Sequence, residues 1–295
     1  MRSVSLKEKL NAVAVVHPAQ TKEVREIQRI DLHKQKSMKV VILAGGYGTR
    51  LAEETELKPK PMVEIGGYPI LWHILKHYAH FGHNEFLFAL GYKGDEIKRY
   101  FLERTSLSGD MTIRLAGGGL ERHPRDLEDW TVHLVETGLD TNTGGRVRQL
   151  ESMVGGETFL VTYGDGVSDV DLRALLEFHK STGRLATVTA VRPPARFGGL
   201  IFDGDLVARF TEKPQSGEGW INGGYLVFGP GIFRYLTSST CSLEGDALER
   251  LALDRQLAAY RHDGFWQCMD TLRDKRLLEG LWRSGKAPWK LWDRA

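Results

Sequence analysis

From Val40 to Ala44 the chain is unbrokenly apolar and rich in β-branched side chains. A strand covered on both faces reads this way, because neither face needs polar residues, and such strands belong to mostly parallel sheets. Comparable short runs recur at 86–90, 158–162 and 185–191. Between them the period changes. Over 70–79 apolar residues fall at three-and-four spacing, which predicts a helix stopped at Gly82. Helices are likewise expected over 94–104, with Ile97, Tyr100 and Phe101 inward, and over 171–181, with Leu172, Leu175, Leu176 and His179 inward. Residues 111–115 and 130–135 alternate as strands do. The spacing further predicts a hairpin over 199–210 turning at Asp203-Gly204, a strand over 225–228, and closing helices over 243–253 and 271–282. Strand and helix in alternation imply right-handed crossovers around a parallel core sheet, an α/β fold. The polar segment 117–129 is read as a mobile loop near the functional site.

The first strand runs straight into Gly45-Gly46-Tyr47-Gly48. Glycines let backbone N–H groups approach a ligand closely, so this loop is a candidate phosphate cradle. It is not a P-loop, because no Gly-Lys-Ser/Thr follows at the required spacing. Nor is it the dinucleotide fingerprint, since Arg50 and Leu51 stand where a third glycine is expected. Arg50 and Lys60 supply positive charge, and Pro59 and Pro61 stiffen the lysine's approach. Asp165, in Tyr163-Gly164-Asp165-Gly166, follows another buried strand and so lies at the carboxyl edge where open α/β sheets bind ligands. Asp270 precedes Thr271 and a helix, which makes it a candidate N-cap as well as a candidate ligand. His73 and His77, one helical turn apart, are read as a helix surface pair rather than metal ligands.

A chain of 295 residues has room for one large α/β domain or two small ones. Its net charge of +2 gives no electrostatic case for nucleic acid or an anionic membrane. No apolar run approaches the roughly 20 residues of a membrane span. Cys241 and Cys268 form neither a disulfide framework nor a metal set, and the simplest compartment is a reducing cytoplasm. Residues 1–37 are polar and charged apart from a short apolar patch at 10–16, and are read as a poorly ordered extension preceding one domain over 38–295. The patch imitates a secretory signal, but Asn11 interrupts it and His17-Pro18 replace a cleavage site.

Together, the glycine loop through Arg50 and the later Lys58-Pro59-Lys60-Pro61-Met62 resemble the signature of sugar-1-phosphate nucleotidyltransferases. Four later segments extend the resemblance: Thr143-Gly-Gly-Arg146, Tyr163-Gly-Asp-Gly166, Ile221-Asn-Gly-Gly224 and the run from Phe265 to Asp274. The resemblance implies a Rossmann-like three-layer α/β/α (GT-A-like) fold with a mixed, mostly parallel sheet. It implies Mg²⁺ held by Asp165 and Asp270, and a triphosphate cradled by Leu43, Ala44, Gly45, Gly46, Tyr47, Gly48 and Thr49. Arg50 would meet the leaving pyrophosphate and Lys60 the α-phosphate and sugar phosphate, while Thr141, Arg146 and Gly164 would contact the nucleotide. Glu212 and Asn222 would take sugar hydroxyls and Lys213 the sugar phosphate. The same likeness points to CTP as donor and glucose 1-phosphate as acceptor, a homo-oligomer, and nucleotide-sugar supply for polysaccharide. The alternatives are dTTP, UTP or GTP as donor, and a non-catalytic nucleotide or sugar sensor. Cys268 departs from the family pattern, which usually has proline there.

Overall fold

Strand β1 (Lys39–Ala44) buries Val40, Ile42 and Ala44 in one apolar core and Val41 and Leu43 in another, so its two faces meet different layers. The unbroken apolar composition follows directly from this double burial. The computed structural model describes residues 37–47, 58–193, 199–203, 206–211 and 219–293. Residues from Met38 onward form one compact unit.

Around β1 the central sheet adds β2 (Glu85–Leu90), β3 (Thr131–Glu136), β4 (Phe159–Tyr163), β6 (Ala186–Val191), β7 (Ile221–Phe228) and β8 (Leu257–His262). A short strand β5 (Gly166–Ser168) lies outside this sheet and pairs with β9 (Trp266–Cys268). The seven strands run in the order β8-β6-β7-β4-β1-β2-β3. All neighbours are parallel except β7, which is antiparallel to both β6 and β4. The sheet is thus mixed and mostly parallel, as expected. Helices α1 (Ile70–His80) and α2 (Gly94–Leu107) pack with the first core, and α3 (Thr143–Gln149) packs with the second. Helix α4 (Leu172–Thr182) buries Leu172, Leu175, Leu176 and His179, the inward face read from the sequence.

Several expectations are corrected. His73 and His77 are buried, at 0% and 1% exposure, so they are core residues of α1 and not a surface pair. His73 sits among Trp282, Trp289 and Trp292, where its Nε2–H donates to the Ile65 carbonyl and its Nδ1 accepts from Trp289 Nε1. Segment 117–129 is not one loop: Leu120–His123 pairs antiparallel with Asp110–Ile113 as a hairpin, and none of its residues lines the cavity described below. The helix expected over 243–253 begins as a π-turn, Leu243–Leu248, before an α-helical turn at Glu249–Leu253. The cap of the last helix, α5 (Leu272–Arg283), is Thr271, which forms a capping box with Asp274. Asp270 lies one residue outside the cap, so its carboxylate is not committed to the helix. Strands β5, β8 and β9 were not foreseen, since β5 and β9 are only three residues each and β8 carries no clean alternation.

Candidate active site

A cavity of about 650 Å³ opens at the carboxyl ends of β1 and β4. Leu43, Ala44, Gly45, Gly46, Tyr47, Lys60, Thr141, Arg146, Gly164 and Asp165 line it. Asn222 lines a smaller pocket of about 50 Å³ that shares Tyr163 and Asp165 with the first. Gly48, Thr49, Arg50, Glu212 and Lys213 fall outside the described residues.

Lys60 opens a short 3₁₀ turn, Lys60–Met62, that follows Pro59 and holds Pro61. The rings fix the backbone, and the Met62 N–H closes the turn on the Pro59 carbonyl at 2.8 Å. Pro61 in turn packs on Gly164, where a Cβ would come within 2.8 Å of its ring, so glycine is required there. The lysine is 8% exposed. Its Nζ donates to Asp165 Oδ2 at 2.5 Å and also to Asp270 Oδ1. Burial alone would lower the ammonium's pKa, but the Asp165 charge and the hydrogen bonds the ammonium donates to both carboxylates outweigh it and hold the pKa above its ordinary value.

Asp165 and Asp270, distant in sequence, meet here because of the small β5–β9 ladder. Gly166 pairs with Cys268, Val167 with Gln267 and Ser168 with Trp266. The Met269 N–H continues the ladder to the Asp165 carbonyl at 2.9 Å, which places Asp270 beside Asp165. At the far end Asp169 Oδ1 accepts from the Phe265 N–H at 2.7 Å and from His262 Nε2 at 2.9 Å. Asp274 accepts from the Asp270 and Thr271 N–H groups and fixes the Asp270 backbone. Cys268 Sγ donates to Asp270 Oδ2 at 3.6 Å. Burial and the charges of Asp270 and Asp165 push the thiol up to about 12, so it stays a neutral donor.

Arg146 is 4% exposed and is held very differently. Its Nη1 donates to the Leu90 carbonyl at 2.9 Å and to Thr137 Oγ1 at 2.6 Å, and its Nη2 donates to the Gly45 and Leu139 carbonyls at 3.1 and 3.2 Å. The guanidinium lies against two glycines: a Cβ would come within 2.4 Å of it at Gly45 and 2.6 Å at Gly91. It therefore ties the glycine loop to the ends of β2 and β3. Desolvation lowers its pKa from the ordinary value.

Sequence reasoning missed a further group. Tyr163 donates its hydroxyl to Glu244, which also accepts from Thr143 Oγ1 at 2.7 Å and Ser242 Oγ at 3.1 Å. Burial first, then the Glu244 charge, raises the Tyr163 phenol. Tyr163 walls both pockets, and its ring lies where a Cβ on Gly224 would come within 2.7 Å. Glu244 sits in the π-turn, a distortion that often marks functional sites but has no clear sequence signature.

Residues 39–274 match the nucleotidyl transferase family model. The chain belongs to this family. It is 49% identical over 257 residues, 87% of this chain and 100% of the relative, to glucose-1-phosphate cytidylyltransferase of Salmonella typhi. It is 42% identical to the probable glucose-1-phosphate cytidylyltransferase of Bacillus subtilis, covering 86% of this chain and 100% of that one. Among solved structures, HddC from Yersinia pseudotuberculosis superposes with a TM-score of 0.62 at 23% identity, covering 83% of this chain and 99% of that one. UDP-glucose pyrophosphorylase gives 0.58 at 16% identity, covering 85% and 99%. These two likenesses concern the fold.

The family generally uses a divalent metal. Asp165 and Asp270 fit one, since two hard oxygens that both reach one ammonium can also reach one ion. Among the described residues no group of three or more His, Cys, Asp and Glu that could hold a metal ion converges, and two carboxylates are a number suited to an ion completed by water and phosphate. Among those residues no helix is long and apolar enough to cross a membrane.

Proposed function

We propose that this protein transfers the cytidylyl group of CTP to glucose 1-phosphate, with Mg²⁺, giving CDP-glucose and pyrophosphate. A phosphate oxygen of the sugar phosphate attacks the α-phosphorus of CTP; the new O–P bond forms as the bond to the β-phosphate oxygen breaks, and pyrophosphate leaves with that electron pair. Little covalent work falls to the protein, so its residues must position the reactants and offset phosphate charge. Backbone from Leu43 to Tyr47 cradles the triphosphate, continuing through Gly48 and Thr49 to Arg50 at the leaving pyrophosphate. Lys60 supplies charge to the α-phosphate and the incoming sugar phosphate. Asp165 and Asp270 hold Mg²⁺, which when bound neutralises phosphate charge. Thr141, Arg146 and Gly164 contact the nucleotide, Glu212 and Asn222 take the sugar hydroxyls, and Lys213 takes the sugar's phosphate.

The observation that carries this reading is the meeting of Lys60, Asp165 and Asp270 beside the glycine loop, in a chain 49% identical to a glucose-1-phosphate cytidylyltransferase over that relative's full length. The reading includes a homo-oligomer, supported by apolar side chains left exposed around the 110–123 hairpin, with Leu115 at 93%. Incubation with Mg²⁺, glucose 1-phosphate and each triphosphate in turn tests the activity by pyrophosphate release. CTP-selective release is expected. Release with dTTP, UTP or GTP instead would reassign the base, and silence with all four would make the protein a sensor.

A further inference from the structure

Between Asp165 and Asp270 stands the Lys60 ammonium, 2.5 Å from Asp165 Oδ2 and bonded to Asp270 Oδ1. The side chains of Lys60 and Asp270 are 10% and 12% exposed and that of Asp165 is 32% exposed, so the first two charges lie largely out of water and the third partly so. Two carboxylates held together in such a place repel one another, and their desolvation is offset only by a cation between them. The ammonium provides such an offset from a point that reaches both oxygens. A Mg²⁺ ion, with its 2.0–2.1 Å bonds to oxygen, would claim the same point. An ammonium nitrogen and a divalent ion cannot both occupy it.

We propose that Lys60 is the placeholder cation of this site: its ammonium holds Asp165 and Asp270 together without metal and gives up that position when triphosphate arrives, coupling nucleotide binding to metal binding. This rests on reading the two aspartates as the metal ligands. The architecture suits the exchange. The backbone of Lys60 is fixed by Pro59, Pro61 and the 3₁₀ turn, so movement is confined to the side chain. That side chain also lines the cavity where phosphates would lie, and so has a second set of anions to move toward. Lysine is a point charge on a flexible stem, whereas the planar fork of arginine would grip a carboxylate with two bonds. Coupling of this kind is reciprocal: metal must strengthen nucleotide binding by the factor by which nucleotide strengthens metal binding.

Titration with Mn²⁺, following the free ion by electron paramagnetic resonance, tests the proposal. Lys60→Met keeps the stem and removes the charge. Without nucleotide it should bind Mn²⁺ about tenfold more tightly than the native chain or beyond, a gain equivalent to about 1.4 kcal/mol. CTP should then strengthen Mn²⁺ binding less in the variant than in the native chain. Lys60→Arg, which keeps the charge, should bind Mn²⁺ no more tightly than the native protein. Because the methionine removes a positive charge shared by two carboxylates, one of them buried, thermal unfolding gives a second reading: Mn²⁺ should raise the Tm of Lys60→Met by more than that of the native chain. Equal or weaker Mn²⁺ binding by Lys60→Met overturns the placeholder role. Adding Asp165→Asn to Lys60→Met separates the two claims. If Mn²⁺ affinity then collapses while Lys60→Met had gained nothing, the placeholder fails alone; if affinity is indifferent to Asp165, the metal assignment fails and the placeholder with it.

Discussion

Lys60 and Arg146 are two buried basic side chains that line one cavity, yet the protein holds them by opposite means. Lys60 is bound by two carboxylates, so its position depends on charge, which is what the proposed exchange with another cation requires. Arg146 is bound by three carbonyls and a hydroxyl, neutral acceptors belonging to the scaffold itself. The first arrangement suits a group that answers to the ligand, and the second suits a brace. The contrast teaches that two cations lining one cavity are not equally free to turn toward a ligand; what each already donates to decides that freedom.

Removing a carboxylate should have the largest effect. Asp165→Asn or Asp270→Asn should lower kcat by about 10³-fold or more, the scale of losing one strong electrostatic contact to the transition state, about 4 kcal/mol. The Tm should change little by comparison, and steady-state kinetics beside thermal denaturation measure both. Arg146→Lys should reverse the balance. A single ammonium cannot serve four acceptors, and stability should fall by about 2–4 kcal/mol, since bonds to a charged group contribute about 1.5–3 kcal/mol each. A denaturant titration of the two variants side by side would break the comparison if Asp270→Asn were the less stable.

Two glycines sharpen the same point. Gly45→Ala would drive a methyl into the Arg146 guanidinium, whereas Gly46→Ala meets nothing within 4 Å. Alanine at 45 should destabilise by about 1–3 kcal/mol, as overpacking does, and alanine at 46 by far less. Gly45→Ala combined with Arg146→Lys should cost less than the sum of the two, because both disturb one contact.

The smallest effect per group is in pH dependence. Burial lowers His73 to about 4, His77 to about 3 and His83 to about 4. Their folded pKa values lie below the unfolded value near 6.5, so between pH 6.5 and about 4 the unfolded chain binds protons that the folded chain refuses. Stability is therefore full above pH 6.5 and falls as the pH drops through this window. Each histidine removes up to about 1.4 kcal/mol per pH unit. Replacing His77 by Leu should flatten the slope, which chemical denaturation at several pH values would detect.

Much of this was legible in the sequence, for identifiable reasons. β1 and the inward face of α4 were plain because burial on two faces, or on one helical stripe, leaves a periodic trace. Gly45 and Asp165 could be placed because each follows a strand end, and Lys60 because Pro59 and Pro61 flank it. The β5–β9 ladder could not, since three-residue strands carry too little pattern, although it is this ladder that brings Asp270 to Asp165. Asp270 was legible as a candidate ligand through family likeness, while its cap role was misassigned by one residue because Thr271 and Asp274 form the capping box instead. His73 and His77 were misjudged because polar type was weighed above the tryptophans that cover His73 from the far end of the chain. Glu244 left no trace because a π-turn has no sequence signature to read.

The central claim is that Asp165, Asp270 and Lys60 serve a single cation position. Crystals grown with Mn²⁺ and CTP, measured at the manganese absorption edge, test it most directly. The account predicts one anomalous peak within bonding distance of both carboxylates, with the Lys60 ammonium withdrawn toward the phosphates. A peak that touches neither aspartate, or one that leaves the ammonium between them, would contradict it.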